Sequence, residues 1–515
     1  MNSLLTKSLF QVGLRCHRLL WFRAHRPDSF ENDSQQLLDG IAIGNLAKEL
    51  HPSGVEIDWT NFSAGLRCTQ ECMALRRPIF EAGFLADGCH ARADILLPDE
   101  RDGAGWDIVE VKSSSLSWDG EGPKIRQCQL YDLAFQKFCY EAAGVPIGHT
   151  FLLLLNRDYV RYGELHPSQI FEKVDCTEQV QLLANLLPKE VEKMRHVLAQ
   201  DNPPPIAIRW NCKKNSRREN RCDCREDCFF KKECWPMAGI AAENITILPR
   251  FNGADLLEQG RWKLTDFTGR DSLTEGQKIV FDAAISQKTR LERSAIVNWL
   301  KNLTYPLHYL DFETFSSPIP PFDGTHAYSR IPFQFSLHLQ RSPGSDLEHF
   351  GFLAQGMDDP RPAFLQKLRQ CCKDLGSVVV YNASFERSVL LDLGEFLPDW
   401  RGWTEALCSR LVDLFEIFRR YHYYSPAQLG SKSIKKVLPA LTGQSYAAMR
   451  IGNGGDAMAE YRRVTFSAAS VEDQHAVRTA LEEYCALDTK AMVDIIAALT
   501  VLVRKESNGN DAQCC

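Results

Sequence analysis

No run of about 18 apolar residues occurs in this chain, so the sequence predicts no transmembrane helix. The opening stretch, MNSLLTKSLFQVGLRCHRLLWF, lacks an apolar core followed by a small-residue cleavage site, and no secretory leader is expected. Charge of one sign is not in excess: 60 Lys and Arg face 66 Asp and Glu, for a net charge of −6. That balance neither requires nor excludes a nucleic-acid partner, because a local basic groove can sit on an acidic chain. Internal repeats and long low-complexity runs are missing too. What remains, 44% hydrophobic and 24% charged residues, is the composition of a soluble globular protein, expected in the cytoplasm.

Cysteine is the exception to this sparseness, at 18 residues. A cytoplasmic chain keeps its thiols reduced, so this number points to metal or cluster ligation rather than disulfides. Cys139, Cys371, Cys408 and Cys485 sit among apolar neighbours and read as core residues.

A length of 515 residues suggests about three domains. In the first, residues 1–235, short branched runs read as strands: DILLP, WDIVEVKSSS and HTFLLLLN. IRQCQLYDLAFQKFCYEAAG reads as a helix ending near Gly144. Three prolines in QDNPPPIAIRWN, residues 200–211, stop regular structure before a basic, cysteine-rich segment. Residues 236–300 read as a helical linker. A second α/β unit spans residues 301–505, with strands in FQFSLHLQ, HFGFLAQ and SVVVYNAS and helices at its end. Residues 506–515 are expected to be a disordered tail. The fold class is therefore α/β in both halves.

Two groups of residues carry chemistry in the first half. ADILLP sets Asp94 at the start of a strand, and DIVEVKSSS sets Glu110 and Lys112 on one face of the next. Two carboxylates so placed suit a hard cation such as Mg²⁺, and a lysine beside them orients water and offsets phosphate charge. On spacing alone the same residues also fit surface strands with an exposed E-x-K pair. In QKFCY, Gln136 and Tyr140 fall one helical turn apart on one face. The whole pattern resembles the PD-(D/E)XK nucleases of the RecB type, over roughly residues 10–235. The resemblance implies a restriction-endonuclease-like fold with Asp94, Glu110, Lys112, Gln136 and Tyr140 at the active site. The first helix of such nucleases offers a further acid or histidine; here Asn45, Glu49 and Glu81 compete for that role.

The second group is CDCREDCFFKKECW, with Cys222, Cys228 and Cys234 spaced six apart. Zinc ribbons prefer C-x2-C pairs, which this segment does not contain, and thiolates at other spacings suit an iron–sulfur cluster with four ligands. Cys16, in LRCHRLLWF, offers the fourth. One cysteine before the nuclease core and three after it resembles a subgroup of RecB-type nucleases whose [4Fe–4S] cluster staples the two ends of the domain. Cys212 and Cys224 are alternative ligands, and zinc is an alternative metal.

The second half opens on HYLDFET, where Asp311 and Glu313 share one face of an otherwise apolar strand. Burying an unpaired carboxylate costs several kcal/mol, and a metal ion offsets that cost. VVVYNASFERSVL supplies Glu386, four residues after Asn382, and EEYCALDTKAMVDII supplies Tyr484 and Asp488 on one helical face. This ordered set resembles the DEDDy branch of the DnaQ-like 3′–5′ exonucleases, on an RNase H-like fold, with Glu386 where that superfamily usually has aspartate. Asp413 and the run GSKSIKKVLPAL resemble further parts of that fold. The resemblance implies two Mg²⁺ or Mn²⁺ ions held by Asp311, Glu313, Glu386 and Asp488, with Tyr484 positioning water. Tyr328, Phe333, Phe335 and His338 read either as base-stacking and phosphate-contacting residues or as core.

Together the halves resemble a bacterial family joining a RecB-type domain to a DnaQ-like domain. That implies a metal-dependent nuclease acting on DNA, single strands by preference, in repair or in phage defence. RNA processing, or a nucleic-acid-binding scaffold with one or both sites inactive, are the alternatives. The sequence identifies no protein partner.

Overall fold

The computed structural model describes residues 4–27, 34–100, 105–119, 122–209, 212 and 227–510. It is a mixed α/β chain that divides into two compact units. Among the described residues, no helix is long and apolar enough to cross a membrane.

The first unit comprises residues 1–240, 254–259 and 317–328. Its elements are β1 (Leu5–Thr6), α1 (Lys7–Arg15), α2 (His17–His25), α3 (Ser34–Lys48), β2 (Val55–Glu56), β3 (Ile79–Ala86), β4 (Cys89–Pro98), β5 (Trp106–Ser115), α4 (Gln127–Ala142), β6 (Ile147–Leu155), β7 (Phe171–Asp175), α5 (Leu187–Leu198) and α6 (Lys231–Met237). One sheet runs β2-β3-β4-β5-β6-β7, with β1 pairing parallel to β4. β3, β4 and β5 are antiparallel, and β5 and β6 are parallel. A parallel pair needs a crossover, and α4 makes it. Its Leu133, Ala134, Phe135 and Cys139 are fully buried in a core shared with Phe10 of α1 and Met194 of α5.

The second unit comprises residues 241–253, 260–316 and 329–515. It contains β8 (Leu307–Phe315), β9 (Ile331–Gln340), β10 (Leu347–Leu353), β11 (Val378–Val380), α7 (Ala383–Phe396), β12 (Leu411–Asp413), α8 (Ile434–Thr442), α9 (Gly454–Phe466) and α10 (Val471–Asn510). Its sheet order is β10-β9-β8-β11-β12, the first three strands antiparallel and the last three parallel. α8 stops at Gly443, whose φ of 77° suits a residue without a Cβ at a helix end.

Three details differ from the sequence-based expectation. Residues 236–300 are not one linker: they form short helices divided between the two units. The second half is interrupted, because residues 317–328 belong to the first unit. There Ala327 is buried with Ile43 and Phe80, and Arg161 Nη1 donates to the carbonyls of Pro320 (3.1 Å) and Pro321 (2.8 Å). The last helix continues past Lys505 to Asn510.

β9 is buried along nearly its whole length, which settles its aromatic residues. Phe333 stacks on Tyr461 at 3.9 Å between centroids, and Phe335 packs edge-on to Phe364; both are core. The polar residues of the strand latch the last helix. Gln334 Nε2 donates to the Leu481 carbonyl (2.8 Å), and Thr489 Oγ1 bonds Ser336 and His338 Nδ1, each at 2.8 Å. His338 is thus committed to α10 and is not a phosphate contact. These latches fix the rotation of α10, and with it where Tyr484 and Asp488 point.

Candidate functional site

In the first unit, β5 carries Glu110 and Lys112 at a two-residue spacing, and the neighbouring strand β4 carries Asp94. Glu110 is 1% exposed and fully engaged. Its Oε1 accepts from Lys112 Nζ (2.6 Å) and Lys7 Nζ (2.9 Å), and its Oε2 from Gln136 Nε2 (2.7 Å) and Lys7 Nζ (3.1 Å). Lys112 also pairs with Asp132. Asp94 Oδ2 accepts from the Val111 amide at 2.7 Å.

Burial pushes the Glu110 carboxyl up, but Lys112 and Lys7 outweigh it and hold it below its ordinary range. Asp94 is raised to about 7, by burial and then by the charge of Glu110.

Asp94, Glu110, Asn45 and Glu81 line one cavity of about 790 Å³; Glu49 is exposed and outside that lining. Glu81 has a φ of 57°, and the β3–β4 pairing skips it, so a local irregularity re-aims its side chain. Tyr140 sits behind the site rather than in it. It is fully buried, donating to the Ala82 carbonyl (2.5 Å) and accepting from the Ala93 amide (2.9 Å), so it ties β3 and β4 together beside Asp94.

Two residues here were missed in the sequence. Asp132 had a signal, since Asp132, Gln136 and Tyr140 repeat every four residues on α4. Lys7 had none: it lies 103 residues from its partner. Lys7→Ala is expected to tighten divalent-ion binding in this unit, because the ion no longer competes with an ammonium for Glu110. Calorimetric Mn²⁺ titration in an Asp311→Ala background checks this, and unchanged or weaker binding contradicts it.

The cysteines converge at one place. Cys16, Cys212, Cys228 and Cys234 line a cavity of about 20 Å³. Cys16 sits at the extended junction of α1 and α2, Cys234 lies on α6, and the Cys228 amide donates to the Cys212 carbonyl (2.8 Å). Burial pushes the Cys228 thiol up to about 12 and those of Cys212 and Cys234 upward as well. Cys212, only an alternative in the sequence, is the residue found with the other three; Cys222 and Cys224 lie outside the described residues. Four thiols around one small cavity suit a soft metal centre.

In the second unit, β8 brings Asp311 and Glu313 to one face, and α10 brings Asp488. Ligand oxygens of these three lie within 4.8 Å of one another. Glu386, in the first turn of α7, is 1% exposed, and its Oε2 has no hydrogen-bond partner among the described residues. Burial raises all four, and neighbouring carboxylates push Asp311, Glu313 and Glu386 further up. Glu313 and Glu386 reach about 8, and Asp311 rises well above its ordinary value through burial and then Asp488. Asp488 also rises through burial, against hydrogen bonds from Tyr446 and Tyr484 and the charge of Lys435. The Tyr446 hydroxyl donates to Asp488 Oδ1 at 2.7 Å. Lys435 Nζ donates to the Tyr484 hydroxyl (2.9 Å) and the Gly452 carbonyl (2.7 Å).

Lys435 lies in GSKSIKKVLPAL, a run noticed in the sequence without a role for this residue; Tyr446 left no signal. Asp413 serves structure: its Oδ1 accepts from the amides of Asn382 (2.9 Å) and Phe415 (3.0 Å), and Asn382 turns the chain into α7 with a φ of 81°.

The two sites differ in charge balance. In the first, Lys7 and Lys112 face Asp94, Glu110 and Asp132. In the second, four carboxylates crowd together with Lys435 beside them. Such a set of oxygen ligands fits one or more hard divalent cations.

Residues 308–433 match the family model described as a domain of unknown function, DUF2779. That stretch holds Asp311, Glu313 and Glu386 and ends before Lys435, Tyr484 and Asp488. The chain is 32% identical over 208 residues to uncharacterized protein MG366 homolog of Mycoplasma pneumoniae, covering 36% of this chain and 31% of that protein. It is 27% identical over 234 residues to uncharacterized protein MG366 of Mycoplasma genitalium, covering 41% of this chain and 35% of that protein. The chain therefore spans about a third of the length of the curated relatives it matches. No solved structure matches it.

Proposed function

We propose that the chain is a cytoplasmic, divalent-metal-dependent nuclease that hydrolyses phosphodiester bonds, with a DnaQ-like 3′–5′ exonuclease in the second unit. The observation that carries this reading is the convergence of Asp311, Glu313 and Asp488 within 4.8 Å, beside a tyrosine held by a lysine. The carboxylates come from the central strand, the helix after β11 and the last helix, in the order that resemblance implies. When bound, two ions supply charge neutralisation at the phosphate and an acidified water. Asp311, Glu313, Glu386 and Asp488 would hold them. The Tyr484 hydroxyl, fixed by Lys435, is placed to orient water, and Lys435 adds positive charge where phosphate arrives.

The first unit is read as a RecB-type PD-(D/E)XK domain with Asp94 and Glu110 at its acidic cavity and Lys112 facing phosphate. Cys16, Cys212, Cys228 and Cys234 suit a structural [4Fe–4S] cluster that ties the start of the unit to its end. One observation favours a second reading for this unit alone. Lys7 and Lys112 already satisfy Glu110, as expected of a nucleic-acid-binding site that no longer cleaves.

An anaerobic assay with Mn²⁺ and 3′- or 5′-labelled single strands, DNA and RNA in parallel, tests both readings. Asp311→Ala is expected to remove degradation from the 3′ end, and Lys112→Ala to spare it. If Lys112→Ala removes a separate cleavage, both units are nucleases; if it removes none, the first unit binds only. No cleavage of either polymer by intact wild type sinks the nuclease proposal.

A further inference from the structure

Next to Lys112 the first unit carries a cleft whose other basic residues have no part in the proposed cleavage chemistry. Beside Lys112 lies a recess of about 350 Å³ lined by Arg15, Lys112, Arg126 and Asp132. Arg15 also lines a larger cleft of about 910 Å³, with Arg18, His17, Lys193 and Arg209. Arg15 is thus common to both. Glu190 is the one acid lining that cleft, and it already faces His17 Nε2 (3.6 Å) and Lys193 Nζ (3.5 Å). The cavity that holds Asp94 and Glu110 is also lined by Glu56, Asp58 and Glu81, with Lys48 and Arg92 among them. On a chain of net charge −6, this cleft sets four Lys and Arg side chains, Arg15, Arg18, Lys193 and Arg209, against one acid. Clefts lined by one sign of charge concentrate ligands of the opposite sign.

The cleft is also tied to the cysteines. Cys16, Arg18 and Ala207 line both the cleft and the cysteine cavity, so one layer of residues forms the wall between them. Arg18 Nη1 donates to the Pro204 carbonyl at 2.5 Å, and its guanidinium stacks over Phe22. Arg18 is a fixed part of that wall. Lys193, with 63% of its side chain exposed, and the exposed Arg209 reach into solvent.

We infer that this cleft is a binding track for the sugar–phosphate backbone of one nucleic-acid strand, leading from Lys112 past Arg15 to Lys193 and Arg209, with the cysteine centre as its wall. The inference rests on the nuclease reading for its ligand and adds where the strand lies. Phosphates spaced along a single strand suit a line of separate cations, and backbone contacts of this kind carry affinity without reading sequence. The cysteine centre then has a role beyond stability: it holds the α1–α2 junction bearing Arg15, His17 and Arg18 in place.

The test is binding without cleavage. Fluorescence anisotropy of labelled oligothymidylate and oligouridylate is read with the full chain in EDTA, over a range of salt. The double variant Lys193→Glu/Arg209→Glu is expected to bind at least about tenfold more weakly, with a salt slope shallower by roughly 0.7 for each lost phosphate contact. Glu190→Gln is expected to bind several-fold more tightly, a gain that misfolding does not imitate. Wild-type affinity and slope in both variants overturn the track, as does a wild-type chain that binds neither polymer. Failure of the underlying reading looks different: wild type binds and both variants shift as expected, yet no strand is cut in Mn²⁺. Cleavage with unchanged binding in the variants sinks the track alone.

Discussion

Asp311→Ala is expected to abolish degradation from the 3′ end, by roughly a thousandfold if the lost ion supplied about 4 kcal/mol of transition-state stabilisation. Its effect on stability has the opposite sign. Without metal, Asp311, Glu313, Glu386 and Asp488 repel one another in a buried site. The folded-state values of Glu313 and Glu386, about 8, lie above the ordinary 4.5. Between those values the folded chain binds more protons than the unfolded one, so metal-free stability falls as pH rises through that window. A divalent ion restores it by binding only the folded state. Thermal melts of wild type in EDTA should therefore show a lower midpoint near pH 8 than near pH 5, and Mn²⁺ should close the gap. Asp311→Asn in EDTA should melt higher than wild type near pH 8 and gain little from Mn²⁺. A metal-free midpoint that rises with pH would contradict the assignment of these acids.

Cys16→Ala or Cys228→Ala is expected to have the largest effect on stability. The four thiols come from both ends of the first unit, and joining Cys16 to Cys212 closes a loop of about 200 residues, on the order of 5 kcal/mol of constraint on the unfolded chain. Each variant should lose iron and visible charge-transfer absorbance when purified anaerobically, and its first unit should melt early or fail to fold. The melting of the second unit, which has its own core, should persist. Cys212→Ala and Cys222→Ala then separate the ligand sets. Loss of absorbance with Cys212→Ala and its retention with Cys222→Ala identify the residues found around the cavity; the reverse identifies the evenly spaced set. Zinc without colour in wild type would replace the cluster with a single ion.

Much of both sites was legible because their residues obey short periods. Asp311 and Glu313 lie two apart on a strand, and Tyr484 and Asp488 four apart on a helix. Those periods put side chains on one face whatever surrounds them. The same periods put Glu110 and Lys112 on one face of β5 and Gln136 and Tyr140, with Asp132, on one face of α4; Asp94, expected at the start of a strand, lies inside β4. The aromatics of β9 were ambiguous because a strand covered on both faces loses its alternation.

The sequence by itself therefore determined the α/β class and the strands and helices that present Asp94, Glu110, Asp311, Glu313, Glu386 and Asp488. The tertiary structure decided what meets those acids. Lys7 reaches Glu110 across 103 residues, Tyr446 reaches Asp488 across 42, and Cys212 joins Cys16 around one cavity. It also drew residues 317–328 into the first unit and gathered Arg15, Lys193 and Arg209 along one cleft. Local periods are set by backbone geometry and can be read along the chain. Long-range pairs are set by how packed elements bury their apolar faces, and no spacing in the sequence records that.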